Sequence, residues 1–79
     1  MTASICLEAP DIGLRQDRWL VKELKVTSGT AVNVADIVAV LENDEALVDI
    51  EVFDDGVIEF VVQAGQKVEA GQPIALISI

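Results

Sequence analysis

Hydrophobic and polar residues alternate over several short segments of the chain, which is the pattern of half-buried β-strands. In residues 46–53, branched apolar side chains fall on one side of such a strand, while Asp49 and Glu51 fall on the other. Residues 38–41 and 74–77 are apolar nearly throughout, so they fit buried strands or short helical fragments. Their flanking turns and branched side chains favour strands, and no helix of ordinary length is predicted.

The chain resembles itself when it is shifted so that Gly29 falls on Gly65. Five residues recur unchanged: Glu23, Val26, Gly29, Val32 and Ala39 return as Glu59, Val62, Gly65, Val68 and Ala75. Both glycines stand where the chain has to reverse, and glycine reaches a positive φ there without steric cost. A stacked solenoid needs at least about three repeats. Two copies therefore predict two similar halves within one small domain.

The predicted order starts with a strand over residues 5–10 and a longer loop over 11–17. The two repeated units follow, joined by the strand over 46–53 and a turn at 54–56. This order predicts an all-β fold: a flattened β-barrel or sandwich (a barrel-sandwich hybrid) of two similar four-stranded halves with pseudo-twofold symmetry. The predicted inward-facing residues are Val26, Val32, Val38, Val40, Ile50, Phe60, Val62, Val68, Ile74 and Leu76. The pattern does not place Trp19 inside or outside.

The length of the chain, 79 residues, predicts one domain spanning residues 1–79. Its longest uninterrupted apolar stretch, residues 37–41, is far shorter than the ~20 residues of a membrane span. The first residues lack the basic start and apolar run of a signal peptide. We therefore expect a cytoplasmic protein. Because the sequence ends directly after its last predicted strand, we expect either a stand-alone domain or one excised from a longer chain.

The formal net charge of −9 is distributed unevenly. All five basic residues lie outside residues 26–66, whereas that span holds Asp36, Glu42, Asp44, Glu45, Asp49, Glu51, Asp54, Asp55 and Glu59. Such a field repels nucleic acid and anionic lipid, and it attracts a protein partner with a basic surface. The candidate partner-binding residues are Glu42, Asp44, Glu45, Asp49, Glu51, Asp54 and Asp55. The alternative is a solvated acidic face that only keeps the protein soluble.

The composition excludes most catalytic and metal-binding chemistry. The chain has no histidine, no tyrosine and one cysteine, so Cys/His zinc sites and Ser–His or Cys–His nucleophile systems cannot form. No acidic segment has the spacing of a twelve-residue calcium loop, and we expect no metal site. Cys6 lies in a short apolar run, which predicts a buried strand thiol. We expect no enzyme activity from this chain.

Four segments occur together in the order and spacing of a known family. They are residues 9–13, 29–38, 42–46 and 65–74. Their combination resembles the lipoyl/biotinyl carrier domains, and its pattern is most similar to the lipoyl domains of 2-oxo acid dehydrogenase dihydrolipoyl acyltransferases. The resemblance covers residues 5–77 and implies the barrel-sandwich fold predicted above.

The family carries lipoate or biotin as an amide on a lysine at the tip of a tight hairpin. The resemblance places Glu45 at that lysine position, with Asn43, Asp44 and Ala46 completing the hairpin. A carboxylate cannot capture an activated acyl group as an amide, so we expect neither cofactor here. Asn43 suits the first position of a type I turn, which predicts that the hairpin survives. The remaining lysines are Lys22, Lys25 and Lys67, and none matches the attachment position.

Glu45 is either a natural feature or an engineered change. Thr30, Ala35 and residues 51–53 also depart from the family pattern, which favours natural divergence. The leading hypothesis is a non-catalytic lipoyl-like docking or structural module of an acyl-transfer multienzyme assembly. Its partner would be a lipoate ligase or a dehydrogenase or acyltransferase component with a basic surface. The alternative is a swinging-arm lipoyl carrier domain seen as a lysine-to-glutamate variant. A third hypothesis is a mimic that occupies a ligase or dehydrogenase without being modified.

Overall fold

The computed structural model describes residues 3–11 and 18–79 of the chain. Within these ranges it contains eight strands: β1 (Ser4–Glu8), β2 (Arg18–Leu24), β3 (Ala31–Val32), β4 (Ile37–Glu42), β5 (Leu47–Glu51), β6 (Gly56–Phe60), β7 (Lys67–Glu69) and β8 (Pro73–Ser78). The apolar runs of β4 and β8 are thus strands, as their flanking turns predicted. Most of the predicted loop over 11–17, including the end of the family segment 9–13, lies outside the described residues.

The strands form two four-stranded sheets, ordered β1-β8-β6-β3 and β5-β4-β2-β7. Every pairing between neighbouring strands is antiparallel. The molecule measures 39 × 19 × 19 Å along its principal axes, so the sheets enclose a narrow, elongated core. The predicted all-β, flattened barrel-sandwich architecture is confirmed. None of the described residues forms a helix that is long and apolar enough to cross a membrane.

The two sheets are related by the predicted pseudo-twofold symmetry. The shift that carries Gly29 onto Gly65 also carries β4 onto β8 and β3 onto β7. With β2 placed on β6 and β5 on β1, the order β5-β4-β2-β7 becomes β1-β8-β6-β3. The backbone hydrogen bonds repeat as well: Gly29 N donates to Ile58 O at 2.8 Å, and Gly65 N donates to Val21 O at 2.7 Å. Both glycines have a positive φ, of 93° and 89°, as predicted.

The β4–β5 hairpin and the two ends of the described chain occupy equivalent places at opposite ends of the molecule. At the hairpin, Asn43 N donates to Ala46 O at 2.9 Å. At the other end, Ile79 N donates to Ala3 O at 3.0 Å, beside the pairing of Ser4 with Ser78. The hairpin tip is therefore the counterpart, in the other half, of the end where the first and last described residues meet.

The core is built mainly from branched aliphatic residues. Its buried members are Ala9, Trp19, Val21, Val32, Val38, Ala39, Leu41, Ile50, Val52, Ile58, Val62, Val68, Ile74, Ala75 and Ile77, with Val40 also buried. The predicted burial of Val32, Val38, Val40, Ile50, Val62, Val68 and Ile74 is confirmed. Val26 and Phe60 are half-buried and pack against this core.

Two predictions of burial are wrong, and both concern the outer face of the sheet that contains β1 and β8. Cys6 is exposed because β1 is an edge strand, and Cys6 lies opposite Leu76 on the side away from the core. Leu76 is exposed as well, by 39%. The pairing of β1 with β8 shifts register between Leu7 and Glu8. This irregularity breaks the strict alternation of inward and outward residues in β8, so Ile74 is buried while Leu76 is exposed.

Trp19, which the sequence pattern left unplaced, is a central core residue. Its side chain is only 2% exposed, and its indole Nε1 donates a hydrogen bond to Pro10 O at 3.0 Å. A buried indole N–H needs such an acceptor, because leaving it unpaired would cost free energy. The bond links β2 to the segment that follows β1.

Candidate functional site

The candidate site is the hairpin tip that joins β4 to β5. The last pair of the two strands is Glu42 with Leu47, so residues 43–46 form the connection. Asn43 N donates to Ala46 O at 2.9 Å and closes it. Among the described non-glycine residues, a positive φ occurs only at Ala35, so the tip needs no left-handed residue.

Asn43 holds the tip in shape through its side chain. Its Oδ1 accepts hydrogen bonds from Glu45 N and Ala46 N, both at 2.9 Å. Its Nδ2 donates to Arg18 O at 3.2 Å, which anchors the turn to the first residue of β2. An asparagine that bonds backbone groups two and three residues ahead is a strong turn former. The prediction that the hairpin survives is therefore confirmed, with Asn43 at its start.

Glu45 is the residue that this turn presents. It is exposed, whereas its neighbour Ala46 is half-buried and packs against the core. Its backbone N–H is fixed by Asn43, so the position of its side chain on the tip is set by the turn. The tip residues Asn43, Asp44, Glu45 and Ala46 supply carboxylate and amide groups but no amine.

The surroundings of the tip are not uniformly acidic. Glu42 lies 3.8 Å from Lys22 Nζ in an ion pair whose side chains are 37% and 53% exposed. A cavity of about 300 Å³ beside the tip is lined by Arg18, Trp19, Leu20, Glu42, Asn43, Asp44 and Lys67. Arg18 itself pairs with Glu69 at 3.8 Å. Basic residues of β2 and β7 thus flank the tip on one side.

The seven predicted partner-binding residues fall into three groups. Glu42, Asp44 and Glu45 lie at the tip, and Asp49 and Glu51 lie on the exposed face of the edge strand β5. Asp54 and Asp55 follow β5, and the next strand begins beside the chain end because Val57 pairs with Ser78. The acidic residues therefore extend along the molecule from the tip towards the opposite end.

Asp55 forms a hydrogen bond within the fold. Its Oδ1 accepts a hydrogen bond from Val34 N at 2.8 Å, which links the β5–β6 connection to the turn before β4. Within that turn, Asp36 Oδ2 accepts from Asn33 N at 2.8 Å. These carboxylates satisfy backbone donors, and such bonds stabilise turns.

Two exposed apolar residues near the acidic groups were missed as functional candidates. Leu47 is 60% exposed beside the tip, and Phe53 is 73% exposed after β5. The signal for Leu47 was present in the sequence, because it shares the outward positions of Asp49 and Glu51. For Phe53 no such signal exists, since a residue just beyond a strand can turn to either side.

The described part of the chain contains no group of three or more Cys, Asp or Glu side chains arranged to hold a metal ion. Its lysines lie away from the tip turn: Lys22 is in β2, Lys25 follows that strand, and Lys67 begins β7. Lys25 pairs with Glu23 at 3.1 Å. Lys67 lines the cavity beside the tip, and within the described residues it takes part in no ion pair.

Comparison with known proteins agrees with this geometry. The biotin/lipoyl family model, described as "Biotin-requiring enzyme", matches residues 6–77. The chain is also 36% identical over 63 residues to the dihydrolipoyllysine-residue acetyltransferase component of the pyruvate dehydrogenase complex from Zymomonas mobilis. That alignment covers 77% of this chain and 13% of the relative, so the chain corresponds to a small part of that protein's length.

Proposed function

Because the chain belongs to the biotinyl/lipoyl domain family, we propose that it is a non-catalytic lipoyl-like domain that carries no covalent cofactor. Its role would be that of a docking or structural module in an acyl-transfer multienzyme assembly. The similarity to an acetyltransferase component of a dehydrogenase complex supports this context. The observation that carries the proposal is the exposed Glu45 on a well-formed hairpin tip.

The chemistry of cofactor attachment does not fit the tip. Lipoate and biotin are attached when an amine captures the activated acyl group as a stable amide, and a carboxylate offers no such nucleophile. The turn therefore retains the shape of an attachment hairpin while lacking the reactive atom. Lys22 and Lys25 lie on or just after β2, and they form ion pairs with Glu42 and Glu23. Of the described lysines, Lys67 is the best candidate for an alternative attachment site, because it lines the cavity beside the tip.

Intact mass measurement tests the absence of a cofactor. The protein is produced together with a lipoate ligase, and separately with a biotin ligase, each with its cofactor supplied. The expected result is the unmodified mass in both cases. A mass increase of one lipoyl or biotinyl group would overturn the proposal, and Lys67→Arg would then show whether Lys67 is the acceptor.

The rival function is that of a swinging-arm carrier whose attachment lysine has been replaced. The intact turn around Asn43 is the observation that favours it. Glu45→Lys separates the two hypotheses. Efficient lipoylation of this variant, followed by reductive acylation by a 2-oxo acid dehydrogenase, means that the carrier machinery persists and only the amine is missing. A variant that remains unmodified means that the surface read by the ligase has also diverged.

The docking role rests on the carboxylates of β5 and the tip. A partner with a basic surface, such as a lipoate ligase or a dehydrogenase or acyltransferase component, should bind more weakly as salt screens these charges. The test is binding to purified components at low and high ionic strength. Asp49→Asn with Glu51→Gln should weaken it, whereas Glu59→Gln, on β6, serves as the matched control. Binding that neither salt nor the double variant weakens would contradict docking by charge. Binding to a lipoate ligase alone would favour the third hypothesis, a mimic that occupies the ligase without being modified.

A further inference from the structure

Two contiguous cavities form a furrow between the edge strands β1 and β5. The larger, of about 390 Å³, includes Ile5, Leu7 and Phe53 in its walls. The smaller, of about 300 Å³, is lined by Leu7, Phe53 and residues 48–51 of β5. Both cavities share Leu7, Glu8, Pro10 and Phe53, so they form one continuous surface, which we call the seam groove. Its floor is apolar, and Phe53 stands 73% exposed within it.

The strands that border the seam groove are both free to accept another strand. Among the eight described strands, β1 and β5 are terminal strands of their sheets, each paired with another described strand on one side only. In the described part of the chain, no backbone hydrogen bond joins β1 to β5. Alternate N–H and C=O groups of an edge strand point away from its partner, so they form a template for an extended segment.

In the described part of the chain, the charged residues on the rim of the seam groove are all acidic. Glu8, Asp49, Glu51 and Asp54 line the two cavities, and all four are exposed. Within residues 3–11 and 18–79, none of these carboxylates takes part in an ion pair. The described basic residues line neither cavity. An apolar floor with an acidic rim complements a partner that is apolar in the centre and basic at the sides.

We propose that the seam groove binds an extended protein segment in which basic residues alternate with apolar ones, and that this segment pairs with the free edge of β5. The inference rests on the proposed docking role and assigns it a place and a ligand class. Apolar side chains of the segment would pack against Val48 and Phe53. Lysine or arginine side chains on its other face would lie over Asp49 and Glu51.

The choice of β5 over β1 follows from their symmetry-related outer faces. The pseudo-twofold axis places Cys6 of β1 where β5 has Asp49, and it places Glu8 where β5 has Glu51. β5 therefore presents two carboxylates on its outer face, whereas β1 presents one. A second copy of this chain is a poor occupant, because its own groove would bring further carboxylates against the acidic rim.

Three short synthetic peptides provide the probe: lysine alternating with valine, lysine alternating with serine, and glutamate alternating with valine. Affinity for the intact chain is measured by fluorescence anisotropy. The lysine–valine peptide should bind more tightly than the other two. Phe53→Ser, and separately Asp49→Asn with Glu51→Gln, should each weaken binding by about tenfold, which corresponds to about 1.4 kcal/mol. Val61→Ser, just after β6, and Glu59→Gln, in β6, are the controls, since both residues are also exposed, and neither should change the affinity.

Amide hydrogen exchange with the peptide bound identifies the strand that pairs. Slower exchange within residues 47–51 is expected, and circular dichroism confirms that each variant stays folded. Equal binding of the lysine–serine peptide, protection at β1 or the tip alone, or no effect of Phe53→Ser would overturn the proposal. These outcomes differ from failure of the proposed function, which would appear as cofactor attachment or as loss of all salt-sensitive docking.

Discussion

Ala35 occupies the same left-handed backbone conformation as Gly71, its equivalent in the other half of the molecule. Their φ angles are 75° and 85°. Ala35 N donates to Val52 O, and Gly71 N donates to Ala9 O, both at 2.8 Å. A Cβ added at Gly71 would meet no atom within 4 Å, so the two positions differ in backbone preference rather than in space. One half of the molecule thus makes its second turn with glycine, and the other makes it with a strained alanine.

Ala35→Gly is therefore expected to stabilise the protein. Relief of the left-handed alanine gains about 1–2 kcal/mol, and the extra freedom of glycine in the unfolded chain removes about 0.4–1 kcal/mol. The net gain should be about 0.5–1 kcal/mol in the free energy of unfolding, measured by urea denaturation.

The matched control is Ala64→Gly, because Ala64 is an exposed turn residue without a positive φ. That change should lower the free energy of unfolding by roughly 0.4–1 kcal/mol. Gly71→Ala should also be destabilising, since it creates the strain that Ala35 already carries. Equal destabilisation by Ala35→Gly and Ala64→Gly would contradict the interpretation.

Most of the fold could be predicted from the internal repeat of the sequence. The recurrence of Gly29 at Gly65 predicted two halves, and the two sheets have equivalent strand orders and repeat the same backbone bond at each glycine. The errors came from residues whose side depends on irregular pairing. Leu76 and Cys6 face outward because of a register shift and an edge position, and neither property is local to the sequence. Trp19 could not be placed because its hydrogen-bond partner, Pro10, is nine residues away in the sequence.

The candidate site, too, could be predicted only in part. The hairpin tip was predictable, because Asn43 acts on residues two and three positions ahead of it. The seam groove was not, because it forms where two edge strands from different sheets meet. Nothing in the sequence indicates that Leu7 and Phe53 share a wall. The number of acidic residues could likewise be read from the sequence. The ion pair that places Lys22 beside the tip could not, because it depends on the pairing of β2 with β4.

Trp19→Phe tests the buried indole hydrogen bond. Phenylalanine keeps most of the apolar volume but leaves Pro10 O without its donor. We expect a loss of about 1–3 kcal/mol from the missing bond and the small cavity together. Because this change removes the only tryptophan, unfolding is followed by far-ultraviolet circular dichroism. Phe53→Leu is the control, and it should change stability by less than about 0.5 kcal/mol at its exposed position. Equal losses at both positions would mean that Trp19 is not the core residue described.

Two residues of β8 test the corrected orientation of that strand. Ile74 is fully buried and Leu76 is 39% exposed, so the same truncation removes similar atoms from different environments. Ile74→Ala should cost about 2–5 kcal/mol in the free energy of unfolding, because it leaves a cavity in the core. Leu76→Ala should cost less than about 1 kcal/mol, since its side chain is partly hydrated already. A loss at Leu76 as large as that at Ile74 would restore the original prediction that Leu76 faces inward.

Asn43→Ala separates the shape of the tip from its chemistry. The change removes the acceptor of Glu45 N and Ala46 N and the donor to Arg18 O. Because the tip is solvated, water replaces part of these bonds, and the expected loss in global stability is only about 1–2 kcal/mol. The larger effect should be faster hydrogen exchange at the Glu45 and Ala46 amides.

In the Glu45→Lys background, Asn43→Ala should slow lipoylation, because a loose turn presents the new amine less often in one geometry. Asn43→Asp keeps the acceptor and should preserve the two amides' protection. An Asn43→Ala tip with unchanged exchange and undiminished lipoylation of the introduced lysine would show that β4 and β5 alone hold the hairpin.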